Sequence, residues 1–137
     1  MRKITSKNYV KSCCVTESRD FKTIQKRLSK KSVIRLLHGA LGLCTEAGEF
    51  QDMLKKHLFY GKKLDLVNLM EEISDSCWYI GLIIDELTRL KAVKSFDEVL
   101  SLNIEKLANR YPEKFKEFDA LNRNLEKERA ILERRKS

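Results

Sequence analysis

Apolar residues recur along most of this chain at helical rather than strand spacing. Between residues 33 and 58, Ile34, Leu37, Leu41 and Cys44, then Phe50, Met53, Leu54 and Leu58, follow a 3.6-residue period. A second run, residues 66–92, is the most apolar in the chain. Its Trp78, Tyr79, Ile80, Leu82, Ile83, Ile84 and Leu87 cover most of a helix circumference, which predicts an element packed on several sides. The punctuation agrees with two long core helices. Ser32 is placed to cap the first, Gly61 to close it and Asp65 to cap the second. Ser95-x-x-Glu98 has the form of a capping box opening a third helix, through Val99, Leu100, Leu102, Ile104 and Leu107 to about residue 109, where Tyr111-Pro112 ends it. Short helices are predicted at residues 7–17 and 21–28, separated by Ser18-Arg19-Asp20 with Asp20 as N-cap. After Pro112 comes residues 113–118 and then a charged helix over residues 121–136 with Leu121, Leu125 and Leu132 as a thin apolar stripe, expected to lie over the bundle or across a partner subunit. The expected fold is all-α, a four-helix-bundle-like core with short N-terminal helices and a charged C-terminal helix.

Two acidic clusters interrupt the apolar pattern. Glu46 and Glu49 share one helix face, as do Glu72 and Asp75, because residues three apart point within about 60° of each other. The first face continues into Phe50, Met53 and His57 and the second into Tyr79, Leu82 and Ile83, so the acids are expected to point inward or into a cleft. Four carboxylates gathered without a counter-charge would each cost several kcal/mol in desolvation, with repulsion added. A positive partner for them is implied. Glu71, beside them, is expected to face solvent or stand behind the cluster. Gly39, Gly42 and Gly48 each carry a helix-propensity cost of about 1 kcal/mol relative to Ala, and their accumulation near the acids suggests close approach of another backbone or a ligand.

Composition narrows the class. One Pro and five Gly in 137 residues argue against a turn-rich all-β fold, and 42% hydrophobic with 35% charged is globular rather than disordered. One domain over residues 1–137 is expected, with its core at about 32–115, a basic arm at 1–31 and a helical tail at 116–137. The N-terminal residues hold no apolar run of signal-peptide length, and the most apolar window, residues 77–87, is too short to span a bilayer, which points to a soluble cytoplasmic protein. Cys13, Cys14, Cys44 and Cys77 have neither Cys-x-x-Cys nor zinc-like His spacing and are expected to be reduced, with Cys44 and Cys77 serving packing. A net charge of +8 implies attraction to polyanions, whether nucleic acid, nucleotide or membrane surface. Lys22, Lys26, Arg27, Lys30 and Lys31 of the arm suit either a solvated face or phosphate contact.

Hard oxygen ligands on two helices suit Mg²⁺ or Mn²⁺. A di-iron bundle would need Glu-x-x-His on two helices, whereas Arg35 and Leu54 stand three residues before His38 and His57. Mg²⁺ commonly binds through a few carboxylates plus substrate phosphates, so an all-acid site is most useful with a nucleotide polyphosphate. Asn103, Lys106 and Arg110, at spacings of three and four, offer an amide, an ammonium and a guanidinium on one face for a phosphate chain. Lys55, Lys56, Lys62 and Lys63 are weaker candidates. His38 is expected to be a hydrogen-bonded core residue, and Trp78 and Tyr79 core residues with base stacking as the alternative.

These residues resemble the MazG-like all-α nucleoside triphosphate pyrophosphohydrolases, whose signature of Glu-x-x-Glu followed by Glu-x-x-Asp stands here as Glu46 to Glu49 and Glu72 to Asp75. LLHGALGLCTEAGEF, LKKHLFYGKKLDLVNLMEEISDSCWYIGL and NIEKLANRYPEKF resemble the single-domain branch over residues 35–115, with TESRDF and ALNRNLEKER similar more weakly. The resemblance implies Mg²⁺-dependent cleavage of a nucleoside triphosphate between its α and β phosphates, giving monophosphate and pyrophosphate. It implies Glu46, Glu49, Glu72 and Asp75 as metal ligands, with Glu49 also orienting the attacking water. Asn103 and Lys106 would contact phosphate or sugar, as would Arg110, Tyr111 and Lys56. It further implies a homodimer or a dimer of dimers with sites completed near the interface. The alternative from another class is a basic helical nucleic-acid-binding protein in which the acids form a structural metal site.

Overall fold

The computed structural model describes residues 3–134. Seven helices follow in order: α1 Ser6–Thr16, α2 Phe21–Leu28, α3 Lys31–Tyr60, α4 Leu66–Arg89, α5 Phe96–Arg110, α6 Glu117–Leu121 and α7 Leu125–Leu132. No strand occurs among the described residues, as the periodicity predicts. The local caps mostly fall where expected. Asp20 and Asp65 accept from the backbone N–H groups of Thr23 and of Val67 and Asn68, each at 3.1 Å. Gly61 closes α3 at φ 65°, in the left-handed region that glycine enters without steric cost. Ser95 Oγ accepts from Glu98 N at 3.2 Å, while the Glu98 carboxylate accepts from Lys94 N one residue earlier than a capping box requires.

Two boundaries differ from expectation. The first long helix begins at Lys31, with Lys30 as N-cap and no side-chain cap bond. Ser32 lies inside its first turn, where its hydroxyl accepts from Arg89 Nη2 of α4 at 2.7 Å, a charge-assisted bond that outcompetes capping. The single C-terminal helix expected over residues 121–136 is instead two: Leu121 ends α6, and Asn124 caps α7 by accepting from Lys127 N at 2.9 Å. Asx residues favour turns over helix interior, and Asn122 and Asn124 flank the break. Residues 135 and 136 of that expected helix lie outside the described residues.

The packing is pairwise. α3 and α4 form a long hairpin, α2 rests on α3, and α5 pairs with α7. Two glycines set the spacing of the hairpin. A Cβ on Gly39 would overlap the Ile83 side chain and press to 3.3 Å from Tyr79 O, and a Cβ on Gly42 would lie within the Tyr79 ring. Gly48 has nothing within 4 Å, and of the backbone approach expected at the three glycines only Gly39 shows any, from Tyr79 O, while Gly42 receives a side chain instead. At the α3 start, Glu86 is fully buried and accepts from Arg35 Nη1 at 2.9 Å and from Arg89 Nε at 3.0 Å. Arg35 Nη2 also pairs with Asp85 at 2.6 Å. Arg89 foremost, with Ser32 and Arg35, holds the Glu86 carboxyl down at about 2, against the burial that opposes it. A similar knot joins the other pair: Glu128 of α7 takes Arg110 of α5 through two bonds of 2.8 and 2.7 Å.

Among the described residues no apolar side chain is buried. α4, expected to be covered on several sides, leaves Leu66, Val67, Met70 and Ile73 exposed, and α3 leaves Ile34, Leu37 and Leu41 exposed. The reason is geometric: each long helix has one long-helix neighbour, which covers only one face. Cys44 and Cys77 are exposed free thiols rather than packed ones, as are Cys13 and Cys14. No helix among the described residues is long and apolar enough to cross a membrane.

The glycine spacing has a measurable consequence. Gly42→Ala is expected to lower stability in denaturant or thermal unfolding by about 1–3 kcal/mol, the usual cost of overpacking. Gly48→Ala, facing open space in the same helix, is expected to stabilise by up to about 1 kcal/mol.

Candidate metal centre

α3 and α4 carry the acids to one place. One carboxylate oxygen from each of Glu46, Glu49 and Glu72 lies within 4.8 Å of the others. The pairing follows from the fold: Gly39 and Gly42 bring the helices close, and the two acid pairs sit one to two turns beyond along each helix. Glu72 is 5% exposed, Glu46 is half-buried and Glu49 opens to solvent. Thr45 Oγ1 shares its one proton between Gly42 O at 2.7 Å and Glu46 Oε1 at 3.1 Å, and Asn68 Nδ2 donates to Glu72 Oε1 at 2.6 Å. These neutral donors orient two carboxylates without neutralising them.

The charge is therefore uncompensated. Burial is the main influence raising the Glu72 carboxyl above its ordinary value, reinforced by the neighbouring Glu46 and Glu49 and opposed by Asn68. A cluster of hard anionic oxygens that penalises its own ionisation is suited to a divalent cation, and Mg²⁺ or Mn²⁺ fits this donor set. Asp75, expected as a fourth ligand, is exposed, outside the group of three, and lines an adjoining recess of about 320 Å³ with Glu46, Trp78 and Tyr79. Glu71 is exposed.

The expected phosphate contacts are not gathered here. Lys56 Nζ pairs with Asp52 at 2.6 Å on the same helix. Asn103 is exposed and Lys106 half-buried on α5, which packs on α7. The Arg110 guanidinium forks onto Glu128, and the Tyr111 ring stands 5.4 Å from Phe115. Eighteen residues separate Arg110 from Glu128, so no local spacing signals that pair. His38, expected in the core, is exposed with its ring edge-on to Trp78 and Tyr79 at 6.2 and 5.8 Å. Trp78, likewise expected in the core, is 60% exposed.

Comparison with protein-family models, with curated proteins and with solved structures finds no match for this chain.

The raised Glu72 carboxyl gives a signed pH dependence. Folding takes up a proton there, so ionised Glu72 weakens the fold at neutral pH and ceases to do so once pH falls below its ordinary value of 4.5. In chelator, Glu72→Gln is expected to raise Tm at pH 7 and to leave it unchanged near pH 4, followed by thermal melts across that range.

Proposed function

We propose that the chain is a Mg²⁺-dependent nucleoside triphosphate pyrophosphohydrolase, as its resemblance to the MazG-like enzymes implies, acting on NTPs or dNTPs. The observation that carries the reading is the convergence of Glu46, Glu49 and Glu72 within 4.8 Å on facing helices, with burial opposing ionisation of Glu72. Glu46, Glu49 and Glu72 would hold the ion, with Asp75 as the further ligand that the signature implies. A bound divalent cation supplies neutralisation of the phosphate oxygens and of the departing charge.

Glu49, the exposed member, is the group that positions the attacking water and accepts its proton. The water oxygen bonds to one of the two phosphorus atoms joined by the α–β bridge, the bond from that phosphorus to the bridging oxygen breaks, and the electron pair leaves on that oxygen with the other product, pyrophosphate for attack at the α phosphorus or monophosphate for attack at the β. Monophosphate and pyrophosphate result. Asn103, Lys106, Arg110, Tyr111 and Lys56 remain the proposed contacts for the phosphate chain and sugar, with the Arg110 guanidinium available only once it leaves Glu128.

The expected test is pyrophosphate release from a panel of NTPs and dNTPs with Mg²⁺. Release should fall at least about 100-fold in Glu72→Gln, the scale of losing a group that stabilises transition-state charge, and vanish with EDTA. No release from any nucleotide by folded protein would overturn the reading. The basic nucleic-acid-binding alternative rests on the exposed lysines and arginines of residues 22–31. It predicts salt-sensitive binding that survives Glu72→Gln.

A homodimer belongs to the same proposal. The chain exposes 11,759 Å², whereas a compact monomer of 16.1 kDa exposes about 7,400 Å². The excess far exceeds the roughly 800 Å² per partner of a standard interface and is larger than the roughly 1,000–2,500 Å² per partner of an obligate one. The open faces of α3 and α4, with Ile34, Leu37, Leu41, Met70 and Ile73, are its natural place. Sedimentation is expected to give a dimer or tetramer, and Ile73→Glu to weaken the assembly at least tenfold. A wild-type monomer at micromolar concentration would contradict it.

A further inference from the structure

We propose that the arm formed by α1 and α2 is a second binding site, which docks the protein on a membrane surface of anionic lipid. The inference goes beyond the hydrolase reading and needs none of the clustered carboxylates. Its starting point is where the charge lies. Residues 1–31 hold ten lysines and arginines against Glu17 and Asp20, a net charge of +8. That is the whole net charge of the chain, so residues 32–137 balance to zero. A surplus confined to one short segment is the pattern of an arm that meets a polyanion. The structure leaves these cations free. Among the described residues Arg19 is the one cation of the arm in an ion pair, with Glu17 at 3.7 Å, whereas Arg35, Arg89, Arg110 and Arg123 beyond it are all committed to carboxylates. Lys22, Lys26, Arg27, Lys30 and Lys31 are exposed.

The apolar side chains decide which polyanion. Of residues 3–31 only Asn8, Thr23 and Ile24 are half-buried, and the rest are exposed. On α1, helical spacing puts Tyr9, Val10 and Cys13 on one face. On α2, which rests on α3, Phe21 and Leu28 share a stripe with Ile24 and stay exposed. Ile4 and Val15 are 74% and 75% exposed. A nucleic-acid backbone offers phosphates to lysine but no apolar partner to isoleucine, valine or leucine. A bilayer interface offers both, anionic headgroups at the surface and acyl chains beneath, and basic amphipathic helices lie there with their apolar side chains inserted. Lysines beside the apolar face reach back to headgroup level on their long stems. Each cation near such a surface strengthens partitioning roughly fivefold.

The test is co-sedimentation of the full chain with vesicles of mixed phosphatidylcholine and phosphatidylglycerol, beside vesicles of phosphatidylcholine alone. Binding is expected to the mixed vesicles and not to the neutral ones. It is expected to be lost as salt rises from about 0.1 M to 1 M, where the Debye length shrinks from about 10 Å to 3 Å. Lys22→Ala with Lys26→Ala should lower the partition coefficient roughly 25-fold. Tyr9→Ser with Phe21→Ser, which changes no charge, should lower it at least about tenfold. All four side chains are exposed, so both variants should keep the wild-type circular dichroism. Absence of binding to the mixed vesicles, or binding that Tyr9→Ser with Phe21→Ser keeps in full, would overturn the membrane arm. Binding of duplex DNA or RNA with the vesicles left bare would overturn it in favour of nucleic acid. An assembly that Phe21→Ser dissolves, again with the vesicles left bare, would give the arm to a second copy of the chain. Pyrophosphate release is followed in parallel: vesicle binding without release would remove the hydrolase reading and retain the arm, and release without vesicle binding would do the reverse.

Discussion

The close contact of α3 with α4 governs the candidate site, because the cluster of Glu46, Glu49 and Glu72 and the aromatic recess form only at that distance. Two missing Cβ atoms permit it: Gly39 receives Ile83 and Gly42 receives the Tyr79 ring. An ionic knot around the buried Glu86, held by Arg35 from one helix and Arg89 from the other, sets the register. Glycine in a helix interior is unfavourable by about 1 kcal/mol, and a buried carboxylate is costly without its partners. The hairpin therefore accepts local penalties at three positions to hold one geometry. That geometry places Glu72 opposite Glu46 and Glu49.

The carboxylate cluster is the reverse case, a cost without compensation inside the chain. Glu86 and Glu128 have arginines and carboxyls held down at about 2, whereas Glu72 has an amide and two further acids, and its carboxyl is pushed up. The contrast within one molecule is informative. Where the fold needs a buried acid for structure it supplies a guanidinium, and at Glu72 it supplies none. We propose that a cation from outside completes an arrangement left short of positive charge in this way, since oxygen donors of this type suit a hard divalent ion.

Much of this was legible in the residues, for reasons that differ by element. Asp20, Asp65 and Gly61 act within three or four residues of their own helix ends, so the local pattern suffices to place them. Glu46, Glu49 and Glu72 stood out because carboxylates at helical spacing among apolar residues are anomalous, whereas Asp75, expected inward with Glu72 by the same spacing, is exposed and outside the cluster. Ser32 was misread as a cap because its true partner, Arg89, is 57 residues away. The Glu128 knot and the exposure of Trp78 are equally non-local. Burial along α4 was overestimated for a related reason: an apolar circumference does not say what packs on it, and within this chain α4 packs mainly on α3.

Metal binding by the cluster is the point on which this account stands or falls. Titration of the wild-type protein with Mn²⁺, followed calorimetrically at pH 7, is predicted to show saturable binding. Affinity should weaken as pH is lowered toward the raised Glu72 value, since a ligand carboxyl must lose its proton, and binding should be lost in Glu72→Gln. Absence of saturable binding by folded wild-type protein, or binding undiminished in the Glu72→Gln variant, would contradict it.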